Sequence, residues 1–251
     1  MEELFQNTLT FMEGALNHLA KQVTPPKRLP YKDSFVYRYK EQSVLQAIVQ
    51  KLARMVSCLH SARVLSEYGL FQDQAALQRM LDEFHEDILF LIYGLTSDKI
   101  TPLHESYLKE FYEEEFDHEN SSLESTQKRG MVPRKKIRAY ISKIEGKDLD
   151  PSRAVEVSRT LGKAYSGYIH GASPHIMEMY GGNPPHYHVS GMLGTPREDK
   201  HRCDLWHYFY RGILSFGFAS KAFGDQVLFE KVIEFRNHLE AGKNKGVNPR
   251  Q

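Results

Sequence analysis

The chain lacks three things that would each have placed it at once. It has only two cysteines, Cys58 and Cys203, so no disulfide framework is available and a reducing compartment fits. It has no apolar run near the ~20 residues of a membrane span, so no membrane partner is expected. Its 33 basic residues face 32 acidic ones for a formal charge of +1, so any pull on nucleic acid has to be local. The opening Met1-Glu2-Glu3-Leu4 is without the basic-then-apolar form of a secretory signal, and a cytoplasmic protein is expected. No alternating strand pattern of useful length, internal repeat or low-complexity tract is visible.

What is present is helical period. Leu4, Phe5, Leu9, Met12, Leu16 and Leu19 recur at three and four, predicting a helix to about Val23 that stops at Pro25-Pro26. Val44, Leu45, Ile48, Leu52, Val56, Leu59 and Ala62 predict a long helix over about 34 to 67, with Gly69 beyond its end. Asp73 is placed as the cap of a third helix running to about Tyr93, and Thr101-Pro102 as the start of a fourth. Residues 119 to 133 read as a loop, and 134 to 145 as a short basic helix. Asp150-Pro151 opens a helix to about His170 with Ala154, Val155, Leu161, Tyr165 and Tyr168 as its buried candidates. Two further helices are predicted over about 197 to 222 and 225 to 240. The expectation is one all-α domain over 1–251, an irregular bundle of about seven helices. Its core bundle would span about 34–175, followed by an irregular His/Pro/Gly segment over 176–196 and the C-terminal helices over 197–240.

Histidine is unevenly distributed. His170, His175, His186 and His188 are four of the 12 histidines and fall within 24 residues, where an even spread would place about one. Imidazole titrates near neutral pH and ligates metals, so a polar site is expected here. Ser166 and His170, four apart, share a helical face; His170 before Gly171 is either a helix-terminal cation or an acid or base held where irregular backbone begins. On the third helix Arg79 and Glu83 are an i, i+4 pair, which serves either a solvated face or a polar site turned toward a later helix. His85 lies about 120° around from Arg79 on an unbroken helix.

Gly69-Leu70-Phe71 leading into Leu77-Gln78-Arg79-Met80-Leu81-Asp82-Glu83, with Tyr165-Ser166-Gly167-Tyr168-Ile169-His170-Gly171 much later, resembles uncharacterised bacterial helical families allied to the HEPN superfamily. The likeness covers roughly residues 40 to 175. It implies a HEPN-like bundle that often forms a homodimer, and a metal-independent ribonuclease site made from an arginine and a histidine four to six residues apart, in a stress or phage-defence setting. Arg79 and His85 have that spacing, but the polar residue that usually follows the arginine is here the apolar Met80. In RNA cleavage a histidine, His85 or His170, would handle the 2′-hydroxyl proton while Arg79 stabilised phosphate charge. No cofactor is implied.

Lys128, Arg129, Arg134, Lys135, Lys136 and Arg138 lie within eleven residues, enough charge to contact several phosphates of RNA or a nucleotide. The run Glu113, Glu114, Glu115, Asp117 and Glu119 just upstream offers an internal partner for the same cations. Two metal sets are also open. His186 and His188 with Cys203 and His207 would make a zinc site; Asp82 with His85 and Glu115 with His118 have the carboxylate-histidine spacing of di-iron bundles, though two further core glutamates are missing. A non-enzymatic role, as an interaction or assembly subunit for a partner protein, stands beside these. Trp206, Tyr208, Phe209, Tyr210, Phe216, Phe218 and Phe223 near the end are expected in the core, because Leu205, Phe209, Ile213, Phe216 and Ala219 keep helical spacing.

Overall fold

Apolar stripes on the longest helices set the architecture. The structure, a computed structural model, describes residues 1–97, 99–116, 122–145 and 165–246. Seven helices of 11 or more residues among them make an irregular all-α bundle. These are α1 (Glu2–Ala20), α2 (Val44–Glu67), α3 (Phe71–Thr96), α4 (Pro102–Tyr112), α5 (Arg134–Glu145), α6 (Glu198–Ala222) and α7 (Gln226–Gly246). Phe5, Leu9 and Met12 of α1 meet Leu52, Met55 and Leu59 of α2, Ile88 and Phe90 of α3, Phe209 and Phe216 of α6, and Leu239 of α7 in one buried core. Each such side chain contributes roughly 1.5–3 kcal/mol on leaving water. The late aromatics Phe209 and Phe216 are fully buried, as their spacing predicts. Among the described residues no helix is long and apolar enough to cross a membrane.

The helix ends are chemically specified. Ser43 accepts from Gln46 N at 3.2 Å, while Gln46 Oε1 accepts from Ser43 N at 3.0 Å, so α2 begins with a reciprocal capping box. Gly69 after α2 has φ +70°, and a Cβ there would stand 2.7 Å from the backbone N of Leu193. Only glycine satisfies both conditions, which lets the 191–193 segment dock through Met192 N donating to Gly69 O at 2.8 Å. Thr101 and His104 form a second capping box at α4, and the buried His104 ring stacks on Phe90 at 4.0 Å.

The expected long helix over 34 to 67 does not form in its first part, and strands are present where none was predicted. β1 (Lys27–Tyr31) and β2 (Ser34–Arg38) pair antiparallel about a turn at Lys32-Asp33, with Lys32 at φ 50°. Only Leu29 and Val36 turn inward, too few positions to register as an alternating pattern. The hairpin is held from outside its own sequence, by the Arg38 fork on Glu114 beyond α4. A second minimal pair joins Tyr180–Gly181 to His186–Tyr187. Boundaries also move: α1 stops at Ala20 rather than Val23, and α3 starts at Phe71, with Asp73 in its first turn rather than at its cap. The predicted helix over 150 to 170 lies mostly outside the described residues, including Ala154, Val155 and Leu161; residues 165–169 are helical.

Candidate functional site

Polar side chains line the contact between α3 and α6. The two helices run side by side in the same direction: Gln74 Nε2 donates to His201 O at 2.9 Å, Tyr208 Oη to Asp82 Oδ2 at 3.1 Å, and His85 Nδ1 meets Ser215 Oγ at 2.7 Å. Positions 74, 78, 82 and 85 on one helix and 201, 204, 208, 211 and 215 on the other recur at three and four, so each helix turns a polar stripe to its neighbour. Asp82 is 7% exposed and is held by the Arg211 guanidinium as well as by Tyr208. Gln74 and Gln78 are wholly buried. Gln74 Oε1 and both amide atoms of Gln78 have no hydrogen-bond partner among the described residues, nor does the buried Nη1 of Arg79.

Residues 165–178 form a third wall. The Tyr165 ring meets Tyr208 edge-on at 5.9 Å, and Tyr168 Oη donates to Glu178 Oε2 at 2.8 Å. His201, 1% exposed, stacks on Phe71 at 5.0 Å with its Nε2 3.8 Å from Glu178 Oε2. Burial pushes the His201 imidazole below its ordinary value against the opposing pull of Glu178 and Asp204, and lifts the Tyr165 phenol to about 12, with Asp204 adding to the rise. His175 packs edge-on against Tyr168 at 4.4 Å, and its carbonyl accepts from Gln72 Nε2 at 2.9 Å. A Cβ on Gly167 would lie 2.1 Å from His175 Cε1, so this close packing requires glycine.

The expected site residues are distributed unevenly around this seam. Arg79 sits in its wall, 17% exposed, and its Nη2 is 2.8 Å from Glu83 Oε1, so the i, i+4 pair and the inward placement hold together. His85 turns instead to Ser215, whose hydroxyl donates to Arg211 O and so accepts from the imidazole; burial pushes His85 down to about 4, against Glu86. Arg79 and His85 therefore have separate partners despite their spacing. Ser166 O accepts from His170 N at 3.1 Å, and His170 is exposed, with no side-chain hydrogen bond among the described residues.

Among the described residues neither metal set comes together. The His186 and His188 rings are 4.3 Å apart and Cys203 Sγ is 3.8 Å from His207 Nε2, but no group of three candidate ligands comes together among the described residues. For the di-iron set, Asp82 is taken up by Arg211 and Tyr208, Glu115 by Arg129 at 2.8 Å, and His118 lies outside the described residues.

The basic cluster divides by residue type. Arg134 reaches Asp87, Glu86 Oε2 at 2.7 Å and Glu83 O at 2.9 Å, and Arg138 Nε reaches Glu86 Oε1 at 2.8 Å. Burial works against the Arg134 charge, and Asp87 and Glu86 overcome it, raising its pKa. With Ile137 and Ile141 buried, α5 is clamped to α3 by its arginines. Of the upstream acids, Glu114 is engaged with Arg38 and Glu115 with Arg129, while Asp117 and Glu119 lie outside the described residues. Lys128, Lys135 and Lys136 are exposed and have no carboxylate partner among the described residues.

Sequence reasoning did not single out Gln74, Glu178, His201, Arg211 or Ser215. The one available signal was a row of polar side chains at 74, 78 and 82 within an otherwise apolar helix. No protein-family model, no curated protein and no solved structure matches this chain, so its function has to be argued from its own residues.

Proposed function

We propose that this protein handles RNA or nucleotide phosphates, gripping the backbone on α5 and the segment before it and working on it at the seam between α3 and α6. The observation that carries the reading is the division of labour in the basic cluster: Glu86, Asp87, Glu114 and Glu115 are engaged with arginines, and Lys135 and Lys136 on the clamped helix, with Lys128 just before it, stand exposed. Unpaired lysines release counterions when they meet phosphates, and a fixed helix loses little freedom in doing so. The seam is close by. Glu83 pairs with Arg79 through its carboxylate and accepts from Arg134 through its carbonyl. From Arg79 to Asp87 along α3 is roughly 12 Å at 1.5 Å per residue.

For metal-independent cleavage, Arg79, which has to release Glu83 and swing outward to do so, is assigned to phosphate charge, and the exposed His170 to the 2′-hydroxyl proton. His85 is held by Ser215 and is not assigned a role. The test is a labelled single-stranded RNA pool incubated with the protein, with and without chelator, alongside Arg79→Ala and His170→Ala. Salt-sensitive binding with chelator-resistant cleavage that both variants abolish is the expected result. Absence of salt-sensitive binding overturns the reading.

A second reading, an interaction or assembly subunit, draws on a groove of about 550 Å³ between α1 and α7, with Phe11, Gly14, Ala15 and Leu228 along it and Val227 65% exposed at its edge. Self-association in sedimentation that Val227→Lys abolishes would favour it.

A further inference from the structure

The hairpin of β1 and β2 lies outside the seam, and its outer face is aromatic and cationic. The register sets Arg28 opposite Tyr37 and Pro30 opposite Phe35, with Leu29 opposite Val36 between them. Side chains alternate across a strand, so Arg28, Pro30, Phe35 and Tyr37 share one face and Leu29 and Val36 lie on the other. Leu29 and Val36 are half-buried, and the remaining strand positions are exposed. Phe35 is 42% and Tyr37 57% exposed, and neither belongs to the buried core. Their rings meet edge-on at 5.5 Å, and the Arg28 guanidinium lies 3.8 Å over the centre of Phe35. Single exposed apolar side chains are ordinary, but rings gathered on one face mark a surface that meets a partner.

Charge narrows the choice of partner. Over 27–40, Lys27, Arg28, Lys32, Arg38 and Lys40 are exposed against the single acid Asp33. An acidic peptide would satisfy the cations and an apolar protein face the rings. Single-stranded nucleic acid satisfies both, because it carries a phosphate and a flat base at every residue. The hairpin also adjoins the basic segment. Glu114 holds Arg38 of the hairpin, and the next residue, Glu115, lies 2.8 Å from Nη1 of Arg129, the neighbour of Lys128. Consecutive Cα atoms are about 3.8 Å apart, so the base of the hairpin and the start of the lysine cluster meet at one corner.

We infer that the outer face of this hairpin is a stacking platform for the bases of single-stranded RNA whose phosphates run on to the lysines of α5 and the segment before it. The inference rests on the phosphate-handling reading and adds the form of the substrate, an unpaired strand, since only unstacked bases can be laid on protein side chains. Tyr37, the most exposed ring of the hairpin, takes one base. Arg28, above Phe35, offers a second flat and cationic surface.

The test is fluorescence anisotropy with a labelled single-stranded RNA and an abasic strand of the same length, on the wild type, Tyr37→Leu and Tyr37→Phe. Leucine keeps an apolar side chain and removes the aromatic face, whereas phenylalanine keeps the face and loses only the hydroxyl. The expected result is RNA bound about five- to thirtyfold tighter than the abasic strand, the scale of one stacked base. That margin should vanish in Tyr37→Leu and persist in Tyr37→Phe, with abasic affinity unchanged in both. Equal wild-type affinities, or an equal loss for both strands in Tyr37→Leu, overturn the inference and leave phosphate handling standing. A base-dependent margin that Tyr37→Leu removes and that Lys128→Gln, Lys135→Gln and Lys136→Gln combined leave in place, with no loss of affinity, upholds the platform and overturns the lysine grip. If neither strand binds, both readings fall. Sedimentation of the free protein decides the remaining occupant: a dimer that Tyr37→Leu returns to monomer overturns the inference, because the rings then cover one another.

Discussion

The seam between α3 and α6 and the outer face of α5 are both rich in ionisable groups, yet they are built on opposite plans. In the seam, charges and amides are withdrawn from water, and Asp82 has to be held by Arg211 and Tyr208 to remain there. On α5 the arginines do the holding, on Glu86 and Asp87, and the lysines are left in solvent. The difference follows the side chains. A planar guanidinium reaches two acceptors at once and tolerates burial, whereas an ammonium is strongly hydrated and favours the surface. Buried pairing therefore fixes position, and exposed charge remains available for a ligand.

Breaking the buried side should have the largest effect. Asp82→Ala strands Arg211 and Tyr208 at a half-dry interface and is expected to cost about 3 kcal/mol, measured from urea unfolding at neutral pH. If the stability is unchanged, the seam is wetter than its burial implies. On the exposed side, Lys128→Gln, Lys135→Gln and Lys136→Gln combined should move stability by less than ~0.5 kcal/mol. The same triple variant should flatten the dependence of log affinity for single-stranded RNA on log salt by about 2, since each phosphate contact contributes about 0.7.

A pH experiment sharpens the contrast further. His85 is driven from its ordinary 6.5 down to about 4 by burial, so between those values the unfolded chain binds the proton and the folded one does not. Stability is therefore full above pH 6.5 and declines as the pH falls through 6.5 toward 4. His85→Gln should make that decline shallower, read from unfolding midpoints across this range, with His201 and His104, also lowered by burial, supplying the remainder. The smallest effect is expected from Gln78→Leu. Replacing an unpaired buried amide by an apolar side chain of similar length should leave stability unchanged or raise it by up to ~1 kcal/mol. Loss of RNA cleavage in this folded variant would assign the amide to the ligand, and retained cleavage would leave it a packing residue.

Legibility in the sequence tracked the range of the interactions involved. The start of α4, the boundaries of α5, the capping role of Thr101 and the glycine after α2 were readable because their partners lie within a few residues. The hairpin over 27–38 was missed because its anchor, Glu114, is 76 residues from Arg38. For the same reason Arg79 could be paired with Glu83 at i+4 from the sequence, while the partner of His85 could not be, since Ser215 is 130 residues away.

By itself the sequence determined that this is an all-α chain, where most of its helices lie, and that basic residues cluster over 128–138 and histidines over 170–188. Those are consequences of period and composition, which act locally. Only the tertiary structure decided which charges are neutralised and which are left over: that Asp82 meets Arg211, that Glu86 and Asp87 take Arg134 and leave Lys135 and Lys136 in solvent, and that Tyr107, Glu110 and Arg134 share one cavity. Pairing of this kind depends on distances between segments remote in the chain, and those are set only when the apolar stripes have packed.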